Sequence, residues 1–150
     1  MSYSELRKGR YSEPGREYLI TVVTHERCRY FENLKAARAL IAVMRALESE
    51  GVLHWLAWVV MPDHLHGLVS LGETADLSNA MNTLKGRSAR AINRLLGRVG
   101  AFWQEGFHDH ALRREEDRLH IARYIVANPL HAGLVEHVGD YPHWDSVWLS

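Results

Sequence analysis

Residues 52–71 read VLHWLAWVVMPDHLHGLVSL, and the fold turns on how this stretch is divided. Val52 to Val60 is a strand-length run, apolar on both faces, and so is expected in the middle of a sheet. Met61-Pro62-Asp63 breaks it. His64 to Leu71 then resumes as another strand. Two strands separated by so short a break pair antiparallel, because a parallel return needs a crossover of roughly a dozen residues.

Working outward, Tyr18 to Thr24 (YLITVVT) is rich in β-branched residues and reads as the first strand. Asn33 is placed to cap a helix running to about Ser49, with Leu34, Ala37, Ile41, Met44 and Leu47 as its apolar stripe and Gly51 as its end. A second helix is expected from Leu77 to about Arg98, its apolar positions being Leu77, Ala80, Met81, Leu84, Ala91, Ile92 and Leu95. Phe102 to Leu112, with its Gln104-Glu105-Gly106 turn, reads as a short hairpin. A third helix is expected from about Glu115 to Asn128, stopped by Pro129. Residues 1–16 read as an extended arm, and the tail from about 130 to 150 as mostly irregular. The order β–α–β–β–α–(ββ)–α, without repeat or linker, implies a single α+β domain over residues 1–150. Its expected architecture is a ferredoxin-like or RRM-like antiparallel sheet with packed helices.

Composition narrows the function. The 150 residues include one cysteine, Cys28, so no intrachain disulfide can form, which suits a reducing cytoplasm. The N-terminus is polar and unlike a signal peptide, and no run approaches the roughly 18 apolar residues of a membrane span. Net charge is zero, yet no acid stands between Asp76 and Glu105, an interval that holds Lys85, Arg87, Arg90, Arg94 and Arg98. Arg87, Arg90, Arg94 and Arg98 fall along one flank of the second helix. They suit either a phosphate backbone or a solvated face. Arg7, Lys8 and Arg10 add cations to the arm. The five tryptophans suit either stacking on unpaired bases or the core.

His64-Leu65-His66 puts two imidazoles on the same side of a strand, where they can chelate a divalent cation or hydrogen-bond near the core. Asp63 is either a carboxylate orienting one of them or a turn residue. Tyr124 and Asn128 are i and i+4 neighbours opposite the apolar side of the third helix. Tyr124 is then either a reactive group or a half-exposed packing residue. Asn128 is either a ligand for a hard cation such as Mg²⁺ or Mn²⁺, or a helix cap. His108-Asp109-His110 repeats the His-x-His spacing on the short hairpin, where it suits chelation, an exposed surface position, or, through His110, a contact that orients a metal ligand or touches substrate.

Together, VVMPDHLHGLV (59–69) and ARYIVANPLHAGLV (122–135) resemble the histidine motif and tyrosine helix of single-tyrosine transposases of the REP-associated type, whose fold is the HUH endonuclease fold. The first strand, Phe102-Trp103-Gln104 with its His-Asp-His, and the arginine-rich helix are similar too. The resemblance implies a divalent metal held by His64 and His66, with Asn128 as a further ligand where distant relatives carry glutamine. It implies Tyr124 as a nucleophile that cuts single-stranded DNA beside hairpin repeats through a 5′-phosphotyrosine. It implies either a monomer or a homodimer that exchanges the tyrosine helix, and a reaction without nucleotide triphosphate, with which the lack of a Gly-x-x-x-x-Gly-Lys-Ser/Thr motif agrees. The lack of a long apolar run implies no membrane partner. A hydrolytic metal-dependent nuclease and a non-catalytic DNA or RNA hairpin-binding module are the rival readings.

Overall fold

The computed structural model describes residues 15–113 and 116–148. The expected arm, with Arg7, Lys8 and Arg10, lies outside the described residues except for its last two positions. The elements are β1 (Glu17–Val23), α1 (Leu34–Ser49), β2 (Leu53–Met61), β3 (His64–Leu71), α2 (Leu77–Leu96), β4 (His108–Ala111), α3 (Arg118–Val126), α4 (Asn128–His131) and β5 (Trp144–Ser146). The five strands form one antiparallel sheet in the order β4-β1-β3-β2-β5. This is an α+β fold, with α1 and α2 on one face of the sheet and α3 on the other.

The central strands follow their sequence closely. Pro62-Asp63 is the two-residue turn between β2 and β3, and Met61 opposite His64 is the last pair before it. β2 serves both faces by means of an extra residue. Trp55 pairs with Val69 and Ala57 with Leu68, leaving Leu56 as a bulge. Leu53, Trp55, Trp58 and Val60 therefore enter the core under α1 and α2, while Leu56, Ala57, Val59 and Met61 enter the core under α3.

Asn33 caps α1, its side chain accepting from the Ala36 N–H. The buried face of α1 is Ala36, Ala37, Leu40, Met44 and Leu47, rotated from the expected stripe so that Leu34 is 46% exposed. In α2, Ala91 and Leu95 are exposed instead of packed. Ser88 is fully buried in their place, because its hydroxyl donates to the Leu84 carbonyl and accepts from the Trp103 indole. Gly97, with φ 63°, ends the helix in the left-handed conformation that glycine tolerates.

Three expectations change. Phe102 to Leu112 is no hairpin: Trp103 makes a single bridge to Thr24, and only His108–Ala111 is a strand, added to the edge of β1. Lys85 donates to the carbonyls of Gln104 and Gly106, tying that turn to α2. Pro129 does not stop the tyrosine helix. α3 ends at Val126, and buried Pro129 sits in the first turn of α4, where its missing N–H costs nothing. The tail holds a fifth strand, with Trp144 opposite Val59, anchored by Tyr141 donating to the Val60 carbonyl at 2.5 Å.

Candidate functional site

The β2–β3 turn is fixed from outside. Thr24 donates its N–H to the Asp63 carbonyl (2.9 Å), its hydroxyl is shared between the carbonyls of Cys28 (2.7 Å) and Asp63 (3.0 Å), and the Phe31 N–H donates to the Pro62 carbonyl. Beyond the turn, alternation sends Leu65 into the α1–α2 core and His64 and His66 to the opposite face. Pairing places His64 between Val23 and Met61, and His66 between Thr21 and Val59. Gly67 follows because the Trp55 ring lies over it; a Cβ there would come within 3.1 Å of the indole.

Each imidazole has its Nδ1 engaged. His64 Nδ1 donates to Asp63 at 2.7 Å, and His66 Nδ1 is 2.7 Å from the Thr21 hydroxyl. The other carboxylate oxygen of Asp63 accepts from Arg27 at 3.1 Å. Arg27 and its neighbour Glu26 both have positive φ, uncommon for residues with a side chain. Burial pushes the Asp63 carboxyl upward, but His64 and Arg27 outweigh it and hold it below its ordinary value. Burial, then the adjacent His64, push His66 down to about 4 against the pull of the Ile20 carbonyl. His66 is thus a neutral imidazole at neutral pH, the form that ligates metals. The two ring centroids are 6.5 Å apart. Paired Nδ1 atoms, a shared face and the neutral form of His66 are the donor chemistry a divalent cation requires.

The tyrosine helix crosses this same face. Asp117 caps α3 by accepting from the Leu119 and His120 N–H groups. Ala122 and Ile125 pack on Leu56, Ala57, Val59, Met61 and Leu68. Tyr124 points away from that contact and is 56% exposed, its ring 5.7 Å from that of His131. Asn128 is half-buried at the start of α4. Among the described residues, no group of three or more His, Cys, Asp or Glu is placed to hold a metal.

The other sequence candidates divide. His110 is bonded to the Glu116 carboxylate at 2.9 Å. His108, its neighbour in the motif, is exposed and pairs with Thr21, which sets it in the same cross-strand row as His66. Lys85 holds the 104–106 turn, and Arg87 makes a two-pronged contact with Glu50 at 2.7 and 2.9 Å. Arg98 bonds Asn93 and the Ala101 carbonyl and lies over the Tyr30 ring. Arg90 and Arg94 are exposed and form no ion pair among the described residues. Trp55, Trp58 and Trp103 are buried, and Trp144 and Trp148 pack into the smaller core. Thr21 and Arg27 carry no mark in the sequence, since each matters through a fold contact that no local spacing reveals; His131 lies seven residues after Tyr124 within the tyrosine-helix motif, with no role of its own evident from the sequence.

The family model described as "Transposase IS200 like" matches residues 15–128. A REP-associated tyrosine transposase of Escherichia coli K12 is 34% identical over 87 residues, covering 57% of this chain and 50% of that protein. The chain spans about half the length of the curated relatives it matches. A solved REP-associated tyrosine transposase bound to a REP hairpin is similar with a TM-score of 0.70 at 29% identity, over 90% of this chain and 79% of that one. A solved protein from Deinococcus radiodurans shares the fold, with a TM-score of 0.57 and 24% identity over 78% of this chain and 93% of its own. With a match that runs from the residues just before β1 through the whole tyrosine helix to Asn128, the chain belongs to the IS200-like transposase family.

Proposed function

We propose that this chain cuts and rejoins single-stranded DNA carrying hairpin repeats, with Tyr124 as the nucleophile. The observation that carries the reading is that His64, His66 and the helix bearing Tyr124 share one face of the sheet. Similarity to a transposase solved with a REP hairpin supports the choice of substrate. A divalent metal, Mg²⁺ or Mn²⁺, would be held by the ring nitrogens of His64 and His66 that Asp63 and Thr21 leave available, together with the Asn128 amide. It would supply stabilisation of the charge that builds on the scissile phosphate.

The chain's own residues do the rest. The exposed Tyr124 can reach a strand lying beside the histidines. Its phenol gives its proton to solvent as its oxygen attacks phosphorus, the P–O3′ bond breaks, and the departing O3′ takes a proton from solvent and leaves as a free 3′-hydroxyl. The phosphodiester energy is kept in the 5′-phosphotyrosine link, so a second 3′-hydroxyl can reverse the step without a nucleotide triphosphate. Asp63 and Thr21 orient the two imidazoles. Arg90 and Arg94 are the cations of the α2 stripe most available to phosphates.

The test is a denaturing gel with full-length protein, a labelled hairpin oligonucleotide and Mg²⁺ or Mn²⁺. A covalent protein–DNA band that EDTA and Tyr124→Phe both abolish is the expected result. Because Tyr124 is more than half exposed, the variant should keep its fold and its DNA affinity. Cut DNA without an adduct under rapid quench would instead make water the nucleophile, and tight binding without cutting across a panel of hairpins would make the chain a binding module.

A further inference from the structure

Away from the histidine face, α1 and the 141–143 segment enclose an open groove of about 420 Å³. That is the size of a small-ligand site, roughly 300–1,000 Å³. Leu34, Ile41 and Pro142 give it an apolar floor. Arg38 and Arg45 give it a basic rim, seven residues and so about 10 Å apart along one side of the helix. Both are exposed, and neither forms an ion pair among the described residues, in contrast to Arg29 with Glu32 and Arg87 with Glu50. α1 carries no acidic residue before Glu48.

His143 closes the groove. It is 8% exposed, with the Tyr141 ring edge-on to it at 5.7 Å. Its imidazole makes no hydrogen bond among the described residues, although it lines the groove. A buried polar side chain is ordinarily satisfied. The His143 ring nitrogens are not among the fully buried atoms without a partner, so the ring, which lines the groove, keeps access through which a ligand polar atom can bond it. Burial, and then nearby Arg38, hold the ring in its neutral form, able both to donate and to accept.

An apolar floor, two guanidinium groups and one imidazole that have no polar partner among the described residues suit a ligand with a flat apolar body, a hydrogen-bonding edge and spaced negative charges. An acidic peptide offers the charge without the flat body. A nucleotide within a strand offers all three. The location agrees. The His143 carbonyl accepts from the Val60 N–H, two residues before the Pro62-Asp63 turn that leads into His64. The groove therefore lies at the His64 end of β2, round the edge of the sheet from the candidate active site.

We infer that this groove is a second nucleic-acid site, which seats an unpaired nucleotide with its base on Leu34, Ile41 and Pro142, its polar edge on His143 and flanking phosphates on Arg38 and Arg45. The inference rests on single-stranded DNA being the substrate, but not on Tyr124 being the nucleophile.

The experiment uses the full chain with Tyr124→Phe, so that cleavage does not interfere. Anisotropy titrations compare a hairpin bearing an unpaired flank with the same hairpin cut blunt. Arg38→Ala/Arg45→Ala should weaken the flanked DNA about tenfold and leave the blunt hairpin within about twofold. The slope of log affinity against log salt on the flanked DNA should fall by about 1.4, two contacts at about 0.7 each. Equal losses on both DNAs would overturn the site in favour of long-range charge. Arg38→Gln/Arg45→Gln, with a thermal melt, guards against a folding defect. A second arm follows the His143 ring proton by NMR. A thymidine tetranucleotide should shift it, whereas inorganic phosphate and tetraglutamate at equal concentration should not. A shift of equal size with phosphate would reduce the groove to an anion site, and one with tetraglutamate would make it a protein-docking surface. Silence with all three would end the proposal. None of these outcomes bears on the covalent adduct of the wild-type chain, so the two readings fail separately.

Discussion

At the scale of single residues, the histidine pair depends on neighbours that hold its rings, Asp63 for His64 and Thr21 for His66. Thr21 faces His66 from the adjacent strand and holds its Nδ1. Thr21→Val keeps the shape and removes the partner, so the ring loses its fixed orientation and a buried nitrogen is left unpaired. Mn²⁺ affinity, measured by calorimetry, should fall about 10- to 100-fold, the usual effect of losing such a partner. Thr21→Ser should restore most of it, and an unchanged affinity would make Thr21 mere packing. The sequence marked out both histidines because their spacing on a strand is local. It could not mark Thr21, which is 45 residues away and reaches His66 only through the β1–β3 register.

At the scale of elements, the arginine stripe of α2 separates into two kinds of residue. Arg87 is locked to Glu50 at the end of α1, and the pair straddles two helices. Arg90 and Arg94 are exposed farther along the same flank. Arg90→Ala/Arg94→Ala should therefore lower DNA affinity and flatten its salt dependence. Arg87→Ala should cost little in either binding or stability, because the ion pair it breaks is solvent-exposed. Anisotropy across a salt series and a melt would separate the two; an Arg87 variant as weak as the double variant would contradict the division. Periodicity made α1, α2 and the three long strands legible, since each repeats a local pattern over many residues. The break between α3 and α4 was not legible, because Pro129 is compatible both with ending a helix and with opening one. Nor was β5, a three-residue strand that exists because β2 offers it an edge.

At the scale of the whole molecule, the segment just before β5 contributes to both limbs of the pH dependence, sharing the acid limb with His66, which burial lowers from 6.5 to about 4. Burial raises the Tyr141 hydroxyl from 10.0 to about 12, outweighing the downward pull of Arg29. Between those values the unfolded chain has lost a proton that the folded chain keeps, so stability falls as pH rises through that window. His143 is displaced the other way. Burial and Arg38 lower it from 6.5, so the unfolded chain takes up a proton first and stability falls as the medium becomes more acid than that. Melts across pH should show Tyr141→Phe flattening the alkaline limb and His143→Gln flattening part of the acid limb, the remainder belonging to His66. Limbs unchanged in the two variants would put the titrating groups elsewhere.

The bulge at Leu56 bears on how this chain tolerates a change of length. In an unbroken strand, Trp55 and Trp58 would face opposite ways; the one supernumerary residue between Trp55 and Ala57 brings them to the same side. Deleting Leu56 would leave simple alternation, with every other side chain of β2 still on the face it occupies now, at the cost of the bond from the Val147 N–H to the Leu56 carbonyl. A deletion at Val59 would turn one end of the strand inside out relative to the other. Single-residue gaps among homologous chains should therefore gather at this point of β2 and avoid the rest of the strand.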